Sequence, residues 1–251
     1  MKKQSYILLI LLLSLSGCEH FGRASLQDVD EIKPGILAGY LNVEDLPDVL
    51  ALIPSPPKEN SLVLKLDQSI AEKNLSMSGD RKAQAAKDAD LMFPEATEAF
   101  NIIPGITITK ETTPNVYRVL RRSLTDAGLS TYAAKNLYQR KRPFMINGEN
   151  TCTPQDEDLL RKDGSYPSGH AAVGWAWALI LTEIYPDKTD AILERGQQFG
   201  LSRSVCNVHW YSDIAAGWMM GTATVARLHA NDLFQNDLTQ AKKEVAAGLV
   251  L

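Results

Sequence analysis

Ala171-Ala172-Val173-Gly174-Trp175-Ala176-Trp177-Ala178-Leu179-Ile180-Leu181 is the first of two almost wholly apolar runs in the chain, and its reading decides the fold. The second, Ile214-Ala215-Ala216-Gly217-Trp218-Met219-Met220-Gly221-Thr222-Ala223-Thr224-Val225-Ala226, begins 33 residues after the first one ends. A bilayer-spanning helix needs about 20 apolar residues, so each run is too short to cross one. A helix that is apolar on every side is a buried helix, and both runs are read as core helices of one domain.

Working outward from them, the pattern stays helical. Residues 187–200, between the two runs, read as an amphipathic helix, and residues 232–247 read as another that closes the chain. Upstream, Pro114 opens a helix whose apolar positions Val116, Val119, Leu120 and Leu124 recur at helical spacing until near Gly128. Residues 130–138 begin a further helix, and a short one ends near Lys162. Ser61 is placed to cap a helix through Leu64, Ile70 and Leu75, and Asp80 to cap an Ala-rich one through Asp90. Residues 95–102 form a short candidate ended by Pro104-Gly105. Ile106-Thr107-Ile108-Thr109 has strand-like composition but no partner, and is read as a loop. With no repeats and no convincing strand pair, the expectation is an all-α, single-domain helical bundle.

The first 60 residues are different. Lys2 and Lys3, the apolar stretch from Tyr6 to Leu15, and Leu15-Ser16-Gly17-Cys18 read as an export signal. The last four residues resemble a bacterial lipobox, which implies cleavage before Cys18 and lipidation of its thiol; an ordinary signal peptide with a chance cysteine is the alternative. Both place the mature protein outside the cytoplasm, in the periplasm, and the lipobox adds anchoring to the outer membrane. Pro34-Gly35, Pro47 and Pro54-Ser55-Pro56-Pro57 argue against long helices before residue 60, with room for one or two turns over residues 46–53. The expected division is therefore 1–17 signal, 18–60 tether and irregular segment, and 61–251 helical domain.

The chain has 251 residues, 45% of them hydrophobic and 22% charged, enough for one globular domain with a real core. Without Lys2 and Lys3 the 26 basic residues become 24 against 30 acidic ones, a net charge of −6. Such a chain lacks the electrostatic footprint of nucleic-acid binding. In an oxidising compartment, Cys152 and Cys206 form an even pair that predicts a disulfide, two buried free thiols being the alternative.

Three blocks carry chemistry. In Lys135-Asn136-Leu137-Tyr138-Gln139-Arg140-Lys141-Arg142-Pro143, Lys135 and Arg142 are seven apart, so two turns of one helix ended by Pro143 would bring both cations to one side. Gly164-Ser165-Tyr166-Pro167-Ser168-Gly169-His170 leads into the first apolar helix. There Ser168 is a natural cap, and the free N–H groups of a helix start make an anion site. In Ser202-Arg203-Ser204-Val205-Cys206-Asn207-Val208-His209-Trp210-Tyr211-Ser212-Asp213, helical spacing would put His209 and Asp213 on one face. The carboxylate would then fix the imidazole tautomer, while Arg203 supplies a forked cation for an oxyanion. His20 and His229 match no pattern.

Lys-x6-Arg-Pro, Pro-Ser-Gly-His and Ser-Arg-x5-His-x3-Asp, in this order, resemble the signature of the type 2 phosphatidic acid phosphatase superfamily. Within it, Gly-Ser-Tyr-Pro-Ser-Gly-His, the single-domain length and the export signal resemble the bacterial class A non-specific acid phosphatases. The resemblance runs from about residue 45 to the C-terminus. It implies hydrolysis of small phosphomonoesters, with His209 as nucleophile forming a phosphohistidine, Asp213 orienting it, and His170 as general acid and then base. It also implies that Lys135, Arg142, Arg203, Ser168 and the Gly169 N–H hold the phosphoryl oxygens, that no metal or other cofactor is needed, and that the chain forms homo-oligomers. The sequence also shows no clustered Asp, Glu and His at metal-ligand spacing. Vanadium-dependent haloperoxidases share the anion site but are much longer chains, relatives acting on lipid phosphates are mostly multi-span membrane proteins, and a non-enzymatic anion binder would have no use for three catalytic blocks.

Overall fold

The structure is a computed structural model describing residues 29–248. The export signal, Cys18 and His20 lie outside the described residues. Those described are mostly helical. The helices are α1 (Val49–Leu52), α2 (Leu62–Leu75), α3 (Gly79–Lys87), α4 (Glu98–Asn101), α5 (Pro114–Leu129) and α6 (Tyr132–Tyr138), then α7 (Pro143–Asn147), α8 (Glu157–Leu160), α9 (Gly169–Ile184), α10 (Thr189–Val205), α11 (Tyr211–Leu228) and α12 (Asp232–Gly248). No helix among them is long and apolar enough to cross a membrane.

The two apolar runs become α9 and α11: α9 is largely buried at the centre of the core, as expected, whereas α11 buries one side and leaves Met219, Thr222 and Ala226 exposed on the other. α9 lies among α5, α10 and α11. It meets α11 backbone to backbone: a Cβ on Gly217 would come within 2.5 Å of Ser168 O, and one on Gly221 within 2.5 Å of Ala172 O. Only glycine permits that approach, and it presses the start of α9 against the start of α11. On its other side Trp177 is fully buried and donates through Nε1 to Leu120 O at 2.9 Å, with the Phe93 ring edge-on at 5.8 Å. Truncating a side chain of this size in such a setting costs about 3–5 kcal/mol.

Ser61 caps α2 as expected, its Oγ accepting from Leu64 N. The cap of α3 is Ser78 rather than Asp80: Ser78 Oγ accepts from Arg81 N, while Asp80 sits inside the first turn, where its charge suits the positive end of the helix. That helix also stops at Lys87, short of Asp90. A strand pair exists after all. β1 (Glu31–Lys33) and β2 (Ile36–Leu37) form an antiparallel hairpin about Pro34-Gly35, with Gly35 at φ 82°. The two strands are too short for an alternating pattern to register in the sequence, although the Pro-Gly turn is there.

The segment that follows the hairpin is part of the body. Asp126 on α5 accepts from the backbone N–H of Tyr40 and Leu41, Thr125 donates to Leu37 O, and Arg122 donates to Ala38 O and Gly39 O. Burial pushes the Asp126 carboxyl up to about 6 against the pull of these N–H donors. Irregular chain is held here by a helix's polar face, which hydrophobic periodicity does not reveal.

Candidate active site

The start of α9 is the first wall. Ser168 is its N-cap, with Oγ accepting from Ala171 N at 3.3 Å, and Ser168 N donates to Asp213 O at 2.9 Å. The close crossing of α9 and α11 therefore sets the helix start that bears Gly169 and His170 against the Asp213 backbone at the start of α11.

The basic block is not one helix. α6 ends at Tyr138, Gln139 turns the chain with φ 44°, and Pro143 opens α7 with Arg142 as its N-cap residue. Proline is tolerated at the first helical position because its missing N–H has no partner there, so it starts a helix in this case rather than ending one. Lys135 and Arg142 nevertheless reach the same cavity, Lys135 from α6 and Arg142 from the turn between helices.

His209 is not helical either. α11 starts at Tyr211, and the contact with Asp213 arises because that carboxylate folds back over the helix start, accepting from Trp210 N at 2.9 Å. Its Oδ2 lies 3.3 Å from His209 Nδ1, and Arg142 Nη1 lies 3.1 Å from His209 Nε2. A guanidinium can only donate. Nε2 must then carry the lone pair, and Nδ1–H donates to Asp213, so two independent partners impose one tautomer. Burial, then Arg142, Lys135 and Arg203, hold the His209 pKa well below the ordinary imidazole range. Burial and the three cations all favour the neutral ring.

Asp213 is itself supported. Arg140 Nη1 donates to Asp213 Oδ1 at 2.5 Å and Arg140 Nη2 to Asp67 Oδ2 at 2.8 Å, while Ser212 donates its N–H and Oγ–H to Asp67. Burial raises the Asp213 pKa, and Arg140 is the main opposing influence. Arg140 lies within the basic block, but spacing alone gave it no role. Asp67 stands on α2, far away in sequence, and carried no signal.

Three buried cations face the cavity: Lys135, Arg142 and Arg203 are 4%, 1% and 2% exposed. Charged side chains are almost never this deep unless paired. Arg203 Nε and Nη1 are buried with no hydrogen-bond partner among the described residues. Burial and the neighbouring Arg142 bring the Lys135 pKa down to about 8 and that of Arg203 to about 10. The cavity holds about 360 Å³ and is lined by these three together with Gly169, His170 and His209. His170 Nε2 lies 2.9 Å from Ala89 O, so that nitrogen carries a proton and Nδ1 is the one left to exchange protons. Burial and Arg203 hold the His170 pKa well below the ordinary range as well. The remaining wall is mostly apolar, with Leu91, Leu124, Leu160 and Val173, and carries the polar groups of Lys33, Thr125, Tyr132 and Asp163.

Ser168 stands apart from the other expected phosphate ligands. It is fully buried, does not line the cavity, and its Oγ serves the helix cap. Asp163 was not foreseen: Lys135 Nζ and Arg142 Nη2 each lie 3.1 Å from its Oδ2. Cys152 and Cys206 form a disulfide with Cα atoms 4.8 Å apart, anchoring the chain three residues before His209. His229 pairs with Glu183 at 2.8 Å, outside this cavity. Among the described residues no three His, Cys, Asp or Glu side chains are grouped to hold a metal ion.

The site is thus a buried pocket of fixed cations around two imidazoles whose pKa values are both held low. The model of the PAP2 superfamily matches residues 120–235, which contain the cations, both imidazoles, Asp163 and Asp213, but not Asp67, Ala89 or Leu91. The chain is 44% identical over 209 residues to a non-specific acid phosphatase of Providencia stuartii, covering 82% of this chain and 84% of that one. It is 37% identical over 195 residues to a non-specific acid phosphatase of Salmonella typhimurium, covering 77% and 78%. It is also 37% identical over 197 residues to an acid phosphatase of Zymomonas mobilis, covering 78% and 75%. The chain belongs to the PAP2 superfamily.

Proposed function

We propose that the protein is an acid phosphatase that hydrolyses a broad range of phosphate monoesters at acid pH, without a metal ion, through a phosphohistidine on His209. The observation that carries this is the pair of unpartnered buried N–H groups on Arg203, facing a cavity it shares with Lys135, Arg142 and both imidazoles. The three buried cations, with exposed Lys33 also on the lining, face one lining carboxylate among the described residues, Asp163, and this surplus of positive charge suits a monoester dianion.

Phosphoryl transfer spreads charge over the equatorial oxygens, and fixed cations with the helix-start N–H of Gly169 can stabilise that charge. Bound phosphoryl oxygens take over the donors of Arg142, which frees the His209 Nε2 lone pair to attack phosphorus. The P–O ester bond breaks as His170 gives a proton from Nδ1 to the departing oxygen. Neutral His170 then takes a proton from water, which attacks phosphorus and releases inorganic phosphate and neutral His209; an alcohol in place of that water would give phosphotransfer. Because the His170 pKa is lowered, its protonated fraction grows only below the ordinary value of about 6.5, and the rate should rise as pH falls.

Export through the residue 1–17 signal, lipidation at Cys18, a periplasmic site at the outer membrane and homo-oligomer formation complete the proposal. An aryl phosphate assay across pH, with and without a chelator, tests it. Turnover on the acid side that resists chelation and is abolished in His209→Ala is expected. Near wild-type turnover in that variant would remove the nucleophile assignment.

A further inference from the structure

One carboxylate stands where a substrate oxygen would go. Asp163 Oδ2 bridges Lys135 Nζ and Arg142 Nη2 at 3.1 Å each, yet its side chain keeps 35% exposure while the two cations keep 5% and 1%. Each cation also has backbone partners of its own. Lys135 Nζ also donates to Gly164 O at 2.5 Å, and Arg142 donates to Leu160 O at 2.9 Å and Val208 O at 3.1 Å. A carboxylate that served the architecture alone would be buried with its partners. This one sits at the solvent end, on a loop ahead of α9, with water as an alternative environment.

We propose that Asp163 is a resident competitor for the anion site. In the empty enzyme its carboxylate occupies the Lys135 and Arg142 donors, and it swings out to solvent when a phosphoryl group spans them and Arg203. It thereby sets how tightly substrate and product phosphate are held. It also favours monoester dianions over singly charged esters, which bring less charge to displace it. The inference rests on the phosphatase reading above.

A site whose open form is only partly populated binds more weakly by that fraction, and a carboxylate that is already 35% exposed can be taken up by water when it leaves. Removing the occupant should therefore tighten phosphate binding about three- to tenfold. The test compares wild type with Asp163→Asn, which keeps the shape, and Asp163→Ser, at one fixed pH and ionic strength. It reads the Ki of inorganic phosphate against an aryl phosphate and, separately, its Kd by calorimetry. Both constants should fall in both variants. Constants that stay the same or rise, or variants that no longer fold, would show that the carboxylate holds the cations in place, and would overturn the proposal. If wild type does not turn over the aryl phosphate, the functional reading fails, while the calorimetric comparison still decides the role of Asp163.

Discussion

Asp213→Asn isolates the control of the His209 tautomer from phosphate binding. The carboxylate accepts on both sides: Oδ2 from Trp210 N at 2.9 Å and His209 Nδ1 at 3.3 Å, Oδ1 from Arg140 at 2.5 Å. An amide has one acceptor for these two sets of donors. With its oxygen toward Arg140, the NH2 faces Nδ1 and demands the opposite tautomer, which would place an Nε2–H against the donating Arg142. With its oxygen toward His209, a buried guanidinium faces an NH2 group. Each unmatched donor costs about 1–3 kcal/mol. A loss of about 3–5 kcal/mol at the transition state corresponds to roughly 10²–10⁴ in rate, the range expected when a catalytic histidine is held in the wrong tautomer. The assay is kcat for an aryl phosphate near pH 5–6, with KM and the phosphate Ki measured alongside; kcat should fall by that range while the binding constants move little, because the three cations are untouched. A kcat within about threefold of wild type would refute the reasoning.

Arg203→Ala should lower kcat/KM by about 10²–10³, by analogy with loss of a transition-state donor, without lowering Tm, since the cation removed is buried and lacks a partner; a collapsed thermal transition would instead assign it a structural role. As Lys135 loses its proton near pH 8, KM should rise on the alkaline side, and Lys135→Met should raise KM throughout and remove that limb, both read from a pH series of KM. His209 and His170 both have lowered pKa values, so below the unfolded value of about 6.5 the unfolded chain binds more protons, and stability should decline as pH falls from there, measurable by chemical denaturation. Cys152→Ser opens a loop closed across 54 residues, for which the chain-entropy model gives about 4 kcal/mol, or roughly 10 °C in Tm by calorimetry.

The parts of this molecule that were legible in the sequence are those written in contiguous residues. Two apolar runs announced α9 and α11, Ser61 and Ser168 announced the caps of α2 and α9, and Lys135, Arg142, His170, Arg203 and His209 were legible as motif positions that the fold brings to one cavity. The local geometry behind them was not. Gln139 in the left-handed region and Pro143 at a helix start split the basic block, and His209 lies outside its helix, because both outcomes are decided by caps and tertiary contacts rather than by periodicity. Arg140, Asp67 and Asp163 escaped notice because their partners are 73, 73 or more than 20 residues away, and no spacing rule reaches that far.

Trapping of the covalent intermediate tests the central claim most directly. Rapid acid-free quenching during turnover of a ³²P-labelled monoester should leave label on the peptide that contains His209, in an acid-labile, alkali-stable linkage, and none in His209→Ala. Label on a different residue, or label that persists in that variant, would contradict the account.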